Sequence, residues 1–204
     1  MPKPFWEKTY TDLSTPTFCG GAPSQEIRDV ASELPSGARV LDLGCGEGRN
    51  ALFLAECGFD VTAVDISETG IRKLRALAEE RQLDIHSEIA DMRAYRFAHS
   101  FDMIASHGCL HLVEREEWQR LIPLFKVHTN PGGINVVVVF TDRISPPDDL
   151  KEFCLGLFRE GEVFSMYSDW EVLLEQSYTI EDQHPDSPPH THPINKLVAR
   201  KPAD

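Results

Sequence analysis

One sequence feature constrains the fold of this chain more than any other. It is a short apolar run that is followed directly by three glycines, each separated from the next by one residue. The run Arg39–Leu43 is typical of a buried strand, Gly44, Gly46 and Gly48 follow it, and residues 50–57 have the composition of a compact helix. Glycines allow a tight turn and a close approach of the backbone to a ligand, and a helix start offers unpaired N–H donors. The segment therefore predicts a strand, a ligand-binding loop and a helix in succession.

Strand-like and helix-like segments alternate along the rest of the chain. The predicted strands are 39–43, 59–64, 85–90, 101–106, 134–140, 171–180 and 194–200. The predicted helices are 25–34, 50–57, the segment that Ser67 caps, and 114–126, with a turn at 131–133 and an amphipathic stretch at 150–158. Such alternation favours a parallel sheet that is covered on both faces, while the last two strands are too close for a crossover helix.

The predicted fold class follows from that order. It is α/β: a doubly wound, Rossmann-like, mostly parallel seven-stranded sheet with an antiparallel C-terminal edge hairpin. The 204 residues suffice for one compact domain. Residues 1–36, rich in Pro, Ser, Thr and Gly, are predicted to form an N-terminal lid or helical segment, and residues 37–204 the main domain.

A carboxylate beside the glycines indicates which ligand the loop binds. Gly46, Gly48 and Ala51 fit the dinucleotide-binding spacing with alanine in the last place, so NAD is one candidate. Asp42 lies two residues before Gly44, at the carboxyl end of the strand. A carboxylate repels a pyrophosphate and attracts the ammonium group of a methionine moiety. The sequence therefore favours S-adenosylmethionine, whose product after methyl transfer is S-adenosylhomocysteine.

Two more acidic residues follow the next two predicted strands. Asp65 ends the second strand, where a carboxylate can accept both ribose hydroxyls, a feature shared with NAD proteins. Asp91 follows the third strand and precedes Met92, where the carboxylate can accept the adenine amino group and the next N–H can donate to the ring. Taken alone, Asp91 is more typical of a turn cap. Ligands of open α/β sheets bind at these strand ends.

The sequence resembles the class I S-adenosylmethionine-dependent methyltransferases and, more narrowly, the tellurite-resistance (TehB-like) family. The segments that carry the resemblance are 41–65, 130–139 and 158–172. The resemblance implies that 37–204 is a methyltransferase domain and that Arg49 either pairs the cofactor carboxylate or is an exposed helix-start residue. The residues expected to hold or line the cofactor are Asp42, Gly44, Cys45, Gly46, Gly48, Arg49, Asn50, Asp65, Ile66, Asp91, Met92 and Ser106.

The function implied by the resemblance is transfer of a methyl group to a small nucleophile by direct displacement. Members of the family are proposed to methylate thiols or soft oxyanions of sulfur, selenium or tellurium. Two alternatives stay open, namely an NAD(P)-dependent oxidoreductase that uses the same crevice and a non-catalytic S-adenosylmethionine-binding domain. A nucleic-acid methyltransferase is disfavoured, because Ser106 and the residues after it form no Asn-Pro-Pro-Tyr-type motif.

Histidines supply the candidate acid–base groups, since a neutral imidazole can take the proton of a thiol near pH 7. His184, His190 and His192 lie in the loop between the last two predicted strands, and His107 follows the fourth strand. His107 and His111 are four residues apart, a spacing that would place both on one helix face. No fixed Cys/His ligand spacing is present, so no metal is expected.

Two aromatic residues of the N-terminal segment, Trp6 and Tyr10, are candidates for a lid over the cofactor. There a ring could cover the sulfonium by a cation–π contact. The alternative is that they only dock the segment onto the core.

Charge and apolar patterning restrict the partners. The net charge is −13, from 20 Lys and Arg against 33 Asp and Glu, and such a surface repels nucleic acids and anionic membranes. No apolar run approaches the ~20 residues of a membrane helix, and the N-terminus lacks a signal-peptide pattern. Five cysteines without CxxC spacing favour free thiols. The sequence therefore predicts a cytoplasmic protein that acts on a small molecule.

Overall fold

The computed structural model describes residues 4–14, 21–148, 150–182 and 188–203. Seven strands form one sheet in the order β3-β2-β1-β4-β5-β7-β6. The strands are β1 Arg39–Leu43, β2 Asp60–Asp65, β3 Ile85–Ile89, β4 Phe101–His107, β5 Thr129–Phe140, β6 Glu171–Asp182 and β7 His190–Arg200. Strands β1 to β5 pair in parallel, and β7 runs antiparallel to both β5 and β6. The predicted fold class is confirmed.

The helices are α1 Phe5–Tyr10, α2 Gln25–Ala31, α3 Arg49–Glu56, α4 Glu68–Glu80, α5 Arg115–Val127 and α6 Glu162–Ser165. The four predicted helices are present with small shifts at their ends, whereas α1 and α6 were not predicted individually. Ser67 caps α4, because its hydroxyl oxygen accepts a hydrogen bond from the N–H of Gly70 at 2.9 Å. Helix α5 continues through Pro123 and is not divided by it.

Two hydrophobic clusters cover the two faces of the sheet. On one face, Ile27 of α2 and Leu74 of α4 pack in a cluster with Val40 of β1. On the other face, Trp118 of α5 packs in a cluster with Leu41 of β1. Neighbouring residues of a strand point to opposite faces, so the consecutive apolar residues of β1 serve both clusters. Because β1 to β5 run parallel, their carboxyl ends all lie at the same end of the sheet, between the two clusters.

The segment before β1 contributes to the first of these clusters. Ile27 and Val30 of α2 are buried in it. The division of the chain at residue 36 stays a prediction. Among the described residues, none of the helices combines the length and the apolar character that a membrane crossing requires.

The predicted turn at 131–133 is wrong, because these residues belong to β5. From the pair Phe101–Thr129 to the pair Met103–Ile134, β4 advances two residues while β5 advances five, which makes a bulge. A Cβ on Gly133 would lie 2.8 Å from the carbonyl oxygen of Asp102, so the two backbones approach closely there. The glycines therefore form an irregularity inside a strand and do not end it.

The stretch 150–158 forms turns, and no helix is assigned within its described residues. Leu150 and Phe158 are buried, whereas Leu155 is 47% exposed. Phe158 makes an isolated bridge to Thr141, just beyond β5. The apolar residues of this stretch thus pack from a loop that lies beside the carboxyl end of β5.

Candidate cofactor and acceptor site

The glycine loop, residues 44–48, joins β1 to α3 and is tied to the end of β2. The N–H groups of Gly44 and Cys45 both donate to the carbonyl oxygen of Val64, at 2.8 and 3.1 Å. Gly44 has a φ of +82°, and a Cβ there would lie 2.3 Å from Sγ of Cys109. Glycine is required at this position both by its backbone conformation and by the residue packed against it.

Asp42 lies beneath this loop and is 1% exposed. Among the described residues, its Oδ2 atom is a buried side-chain oxygen with no hydrogen-bond partner. Burial raises the pKa of Asp42 to about 7, although the positive charge of Arg49 opposes the shift. A buried carboxylate oxygen without a partner is costly, and an ammonium group supplied by a ligand would satisfy it. The site therefore fits the amino group of a methionine moiety.

Asp65, at the end of β2, faces the same loop. Its Oδ2 accepts from the N–H of Gly46 at 2.7 Å and its Oδ1 accepts from the N–H of Ser67 at 2.8 Å. Burial raises the pKa of Asp65 despite these bonds. Each carboxylate oxygen still has capacity for a further donor, such as a ribose hydroxyl. The next residue, Ile66, is 65% exposed, which leaves an apolar surface beside the proposed nucleoside position.

Asp91 caps a turn in this structure, which is the alternative to adenine binding that the sequence also allows. Its Oδ1 accepts from the N–H of Arg93 and caps the 3₁₀ turn Met92–Ala94. The Arg93 guanidinium also donates to both carboxylate oxygens and lowers the pKa of Asp91. The predicted adenine contacts of Asp91 and Met92 stay predictions.

Arg49 and Asn50, at the start of α3, connect the glycine loop to the N-terminal segment. Arg49 is half-buried and donates to the carbonyl oxygen of Ala22 at 3.0 Å, so it is not an exposed helix-start residue. The amide oxygen of Asn50 accepts from the N–H of Ser24 at 3.0 Å, and Ser24 is the N-cap residue of α2. These contacts hold α2 against the site, and the predicted contacts of both residues with a cofactor stay predictions.

A partly buried hydrogen-bond network that the sequence does not indicate surrounds His107, the last residue of β4. Nδ1 of His107 lies 3.3 Å from an Nη atom of Arg49, and Nε2 lies 2.8 Å from Oε1 of Glu26. Because a guanidinium only donates, Nδ1 is the acceptor and Nε2 donates to Glu26. Burial lowers the pKa of His107, so the neutral ring is favoured.

Glu26 completes the network from α2. Its Oε2 accepts from Nζ of Lys196 at 2.8 Å. Burial by itself would raise the pKa of Glu26, but hydrogen bonds and the charges around it lower the pKa to about 2. Glu26 and Lys196 are 170 positions apart in sequence, and no local pattern relates them. Glu26 thereby links the N-terminal segment, β4 and β7 at the cofactor edge of the sheet.

Ser106 and Cys109 lie against the glycine loop, which itself contains Cys45. Ser106 is fully buried, and its Oγ lies 3.0 Å from Sγ of Cys109. Burial raises the pKa of Cys109 to about 12 and raises that of Cys45 as well. Neither thiol is therefore suited to act as a nucleophile, and Cys45 serves as a small residue of the loop. The predicted place of Ser106 in the methyl-transfer pocket stays a prediction.

The histidines after β4 do not share a helix face, contrary to the prediction. His107 ends β4, whereas His111 lies in the 3₁₀ turn Leu110–Leu112. The His111 ring stacks on Phe140 with centroids 4.1 Å apart, and the ring of His192 stacks on Phe140 at 4.5 Å. Burial lowers the pKa of His111 to about 3, so it is neutral.

Two of the loop histidines predicted as catalytic lie together at the start of β7. Nε2 of His190 is 3.0 Å from Nε2 of His192, and Asp182 of β6 lies beside them. His184 lies outside the described residues. Because β7 is antiparallel, its start lies at the edge where β1, β4 and β5 end, so these histidines face the same side of the molecule as Asp42.

The N-terminal aromatic residues contact the same edge. A Cβ on Gly46 would lie 2.5 Å from the hydroxyl oxygen of Tyr10, so this side chain rests on the glycine loop. Burial raises the pKa of Tyr10, so the phenol stays neutral. Trp6 makes an edge-to-face contact with Phe153, with centroids 5.6 Å apart. Helix α1 therefore reaches from the glycine loop to the loop 150–158. These contacts are compatible both with a lid over the cofactor and with docking of the N-terminal segment onto the core.

A buried ion pair anchors the loop from below. Nζ of Lys73 lies 2.6 Å from Oε2 of Glu47, and the two side chains are 1% and 6% exposed. Buried pairs of this kind require good geometry to offset the loss of hydration. The pair fixes the glycine loop to α4.

Comparison with known proteins agrees with this geometry. A sequence model of the family described as tellurite resistance protein TehB matches residues 19–185. The probable S-adenosyl-L-methionine-dependent methyltransferase TehB of Haemophilus influenzae is 36% identical over 145 residues, which are 70% of this chain and 49% of that protein. A 2-heptyl-1-hydroxyquinolin-4(1H)-one methyltransferase of Mycobacteroides abscessus is 31% identical over 139 residues, 65% of this chain and 60% of that protein.

Solved structures of methyltransferases are also similar to this chain. The crystal structure of TehB from Haemophilus influenzae matches with a TM-score of 0.77 and 31% identity, over 87% of this chain and 62% of that one. A methyltransferase structure from Methanosarcina mazei matches with a TM-score of 0.71 at 20% identity, over 90% of this chain and 100% of that one, and shows the fold alone. The chain spans about half the length of the Haemophilus influenzae TehB sequence that it matches.

The protein is of the S-adenosylmethionine-dependent methyltransferase class. The order of the strands, the glycine loop and the buried Asp42 are the features that define this class here. Within this class, the chain belongs to the TehB family, because the family's sequence model covers most of its length. The relatives described above are named as methyltransferases, so they do not support the nicotinamide-dependent alternative.

Proposed function

We propose that this protein binds S-adenosylmethionine in the crevice at the glycine loop and transfers its methyl group to a small, soft nucleophile. The acceptor class is a thiol or a chalcogen oxyanion such as tellurite or selenite. The observation that carries the proposal is the Oδ2 atom of Asp42, which is buried without a partner among the described residues. A cationic amine satisfies this atom, whereas a pyrophosphate would be repelled by it.

The residues at the glycine loop divide the binding of the cofactor between them. Asp42 accepts from the amino group, Asp65 accepts from the ribose hydroxyls, and exposed Ile66 packs on the adenine ring. When bound, S-adenosylmethionine supplies an electrophilic methyl group on a sulfonium. Tyr10, which lies on the loop, covers this side of the crevice. Most of the acceleration of such a displacement can come from holding the two reactants in line.

The acceptor side is built from β4, β6 and β7. His190 and His192 present imidazoles there, and a neutral imidazole can take the proton of a thiol. His107 has both ring nitrogens engaged by Arg49 and Glu26, so it is better suited to position Arg49 than to accept a proton. The net charge of −13 supports a small-molecule acceptor over a nucleic acid.

Calorimetric titration with S-adenosylhomocysteine and with NADH tests the cofactor. We expect the first to bind and the second not to bind, and the reverse result would refute the proposal. Turnover is then measured by product analysis with a thiol, selenite and tellurite. Binding without turnover on any of the three would favour the non-catalytic binding domain, and turnover on a larger acceptor alone would reject the acceptor class.

A further inference from the structure

Three side chains of types that ligate metals meet at the end of the β6–β7 hairpin that is closed by the connecting loop. Within the described part of the chain, Asp182, His190 and His192 form a group whose ligand atoms all lie within 4.8 Å of one another. Nε2 of His190 is 3.0 Å from Nε2 of His192, and Nε2 of His192 is 3.9 Å from Oδ2 of Asp182. His192 is buried, while the other two side chains are partly exposed.

Strand register brings these residues together. Asp182 is paired directly with His190 across the hairpin, so their side chains lie on the same face. His192 is two residues further along β7, and residues two apart on a strand share a face. The pairing of the two strands therefore places the three side chains together.

The orientation of the two imidazoles is fixed by their neighbours. Nδ1 of His190 lies 3.0 Å from the carbonyl oxygen of Pro188. A carbonyl only accepts, so Nδ1 carries the proton and the lone pair of Nε2 points towards His192. The ring of His192 is held by stacking on Phe140, with an interplanar angle of 17°. Metal-ligating histidines are commonly oriented as His190 is, with the second ring nitrogen donating to a backbone carbonyl.

The separations match those of ligands that share one ion. Zinc–nitrogen bonds of about 2.0–2.1 Å in a tetrahedral site place neighbouring ligand atoms about 3.3 Å apart. The observed 3.0 and 3.9 Å lie on either side of that value. Three protein ligands leave a fourth position open, which is the pattern of a catalytic zinc site and not of a structural one.

We propose that Asp182, His190 and His192 bind a divalent zinc-type ion whose open position takes the methyl acceptor. This inference rests on the proposed function and refines one step of it, because the ion replaces an imidazole as the group that ionises a thiol. A thiol that coordinates the ion loses its proton to solvent. Its sulfur then forms the new bond to the methyl carbon, the carbon–sulfonium bond breaks, and its electron pair stays on S-adenosylhomocysteine. The proposal departs from the sequence-based expectation of no metal, in that the third ligand, Asp182, comes from the neighbouring strand.

Metal titration of the full chain tests the proposal. The chelator-treated protein is titrated with Zn²⁺ by calorimetry and with Co²⁺ by visible absorption. We expect one ion per chain and the visible bands of a tetrahedral Co²⁺ site. Asp182→Asn and His190→Ala, both at partly exposed positions, should weaken Zn²⁺ binding roughly 100-fold or more, since even outer-sphere changes cost 10–100-fold. His86→Ala, at an exposed histidine of β3, is the matched control and should bind like the wild type.

S-adenosylhomocysteine affinity, measured on the same samples, separates the two proposals. Retained affinity in Asp182→Asn and His190→Ala shows that these variants are folded. Equal Zn²⁺ affinity of the wild type and His190→Ala would overturn the metal site, even if methyl transfer were observed. Failure of the wild type to bind S-adenosylhomocysteine would instead overturn the proposed function. An equal loss in His86→Ala would identify adventitious surface binding and reject the site.

Discussion

The two halves of the crevice are built in different ways. The proposed cofactor half consists of the glycine loop, whose backbone N–H groups bond to the end of β2, and of two carboxylates, Asp42 and Asp65, near consecutive parallel strand ends. The proposed acceptor half consists of side chains from α2, β4, β6 and β7, joined by the contacts of Glu26 and of His190. A loop made of backbone binds a ligand common to a whole class, whereas a surface made of distant side chains can change its ligand by single substitutions.

The largest effect is expected in the cofactor half, from loss of the buried ion pair under the glycine loop. Lys73→Ala removes the ammonium 2.6 Å from Glu47, and breaking such a buried pair costs about 3–5 kcal/mol. Urea unfolding should show this loss. Arg72→Ala, on the same helix, is the control, because its pair with Glu68 spans 4.0 Å and is mostly exposed. Equal losses in the two variants would show that the buried pair does not anchor the loop.

In the cofactor half, Asp42→Asn should weaken cofactor binding without destabilising the folded protein. Removing the charge should weaken S-adenosylhomocysteine binding about 100-fold, which corresponds to about 2.7 kcal/mol. The folded-state pKa of about 7 lies above the ordinary value of 3.8, so the folded state holds a proton that the unfolded state releases. Stability of the ligand-free wild type should therefore fall as the pH rises from about 4 to 7.

The variant should lack this decline and melt several degrees higher than the wild type at pH 8. Wild-type affinity for S-adenosylhomocysteine should rise as the pH increases through 7, because the ionised carboxylate binds the amine. Calorimetry at pH 6 and 8, together with thermal unfolding, measures both effects. Unchanged affinity in the variant would show that Asp42 does not contact the cofactor.

Gly44→Ala tests the close packing of the glycine loop. Its Cβ would lie 2.3 Å from Sγ of Cys109, at a φ of +82°. Gly58→Ala is the matched control, since Gly58 has a φ of +83° and nothing within 4 Å of a Cβ. The control should lose about 1–2 kcal/mol from backbone strain alone. Gly44→Ala should lose about 1–3 kcal/mol more from overpacking, and chemical unfolding compares them. Equal losses would exclude a steric role for Cys109.

The smallest effect on stability is expected in the acceptor half, from Glu26→Gln. The pKa of about 2 lies below the ordinary 4.5, so the carboxylate stabilises the fold fully above about pH 4.5 and this contribution is lost as the pH falls towards 2. The variant should lose about 1–2 kcal/mol at pH 7 and show less acid sensitivity.

Glu26→Gln should also lower kcat/KM for the acceptor about tenfold. Such a change corresponds to the loss of about 1.4 kcal/mol, which Glu26 supplies by holding His107 in position against Arg49. Its affinity for S-adenosylhomocysteine should be unchanged. Glu33→Gln, at an exposed partner of Arg200, is the control. A loss of cofactor affinity in Glu26→Gln would mean that the two halves are not separate.

The sequence predicts the cofactor half well, because its elements are local. The strand before the loop is predicted at Arg39–Leu43, where the structure has it, and the helix after Ser67 begins as predicted. Each is a short apolar or periodic run bounded by turn or cap residues. The bulge in β5 was not predicted, because Gly132 and Gly133 indicate a turn unless the close approach of β4 is known.

The acceptor half depends on contacts between distant segments, and these leave no local pattern. Glu26 and His107 are 81 positions apart, and the pairing of Asp182 with His190 follows from the register of a hairpin. The histidines were recognised as candidates, but the neighbours that orient them were not. The unpartnered oxygen of Asp42 is likewise a property of packing, although its type and position were predicted.

The position of β7 has a consequence for how the chain folds during synthesis. β7 leaves the ribosome after the six other described strands, yet it lies between β5 and β6, and β6 pairs only with β7 among these strands. Until residues 190–200 emerge, β5 has an open edge and β6 has nothing to pair with. Open strand edges are where nascent chains aggregate. Until β7 is translated, the nascent chain therefore exposes two unpaired strand edges that can associate with other chains.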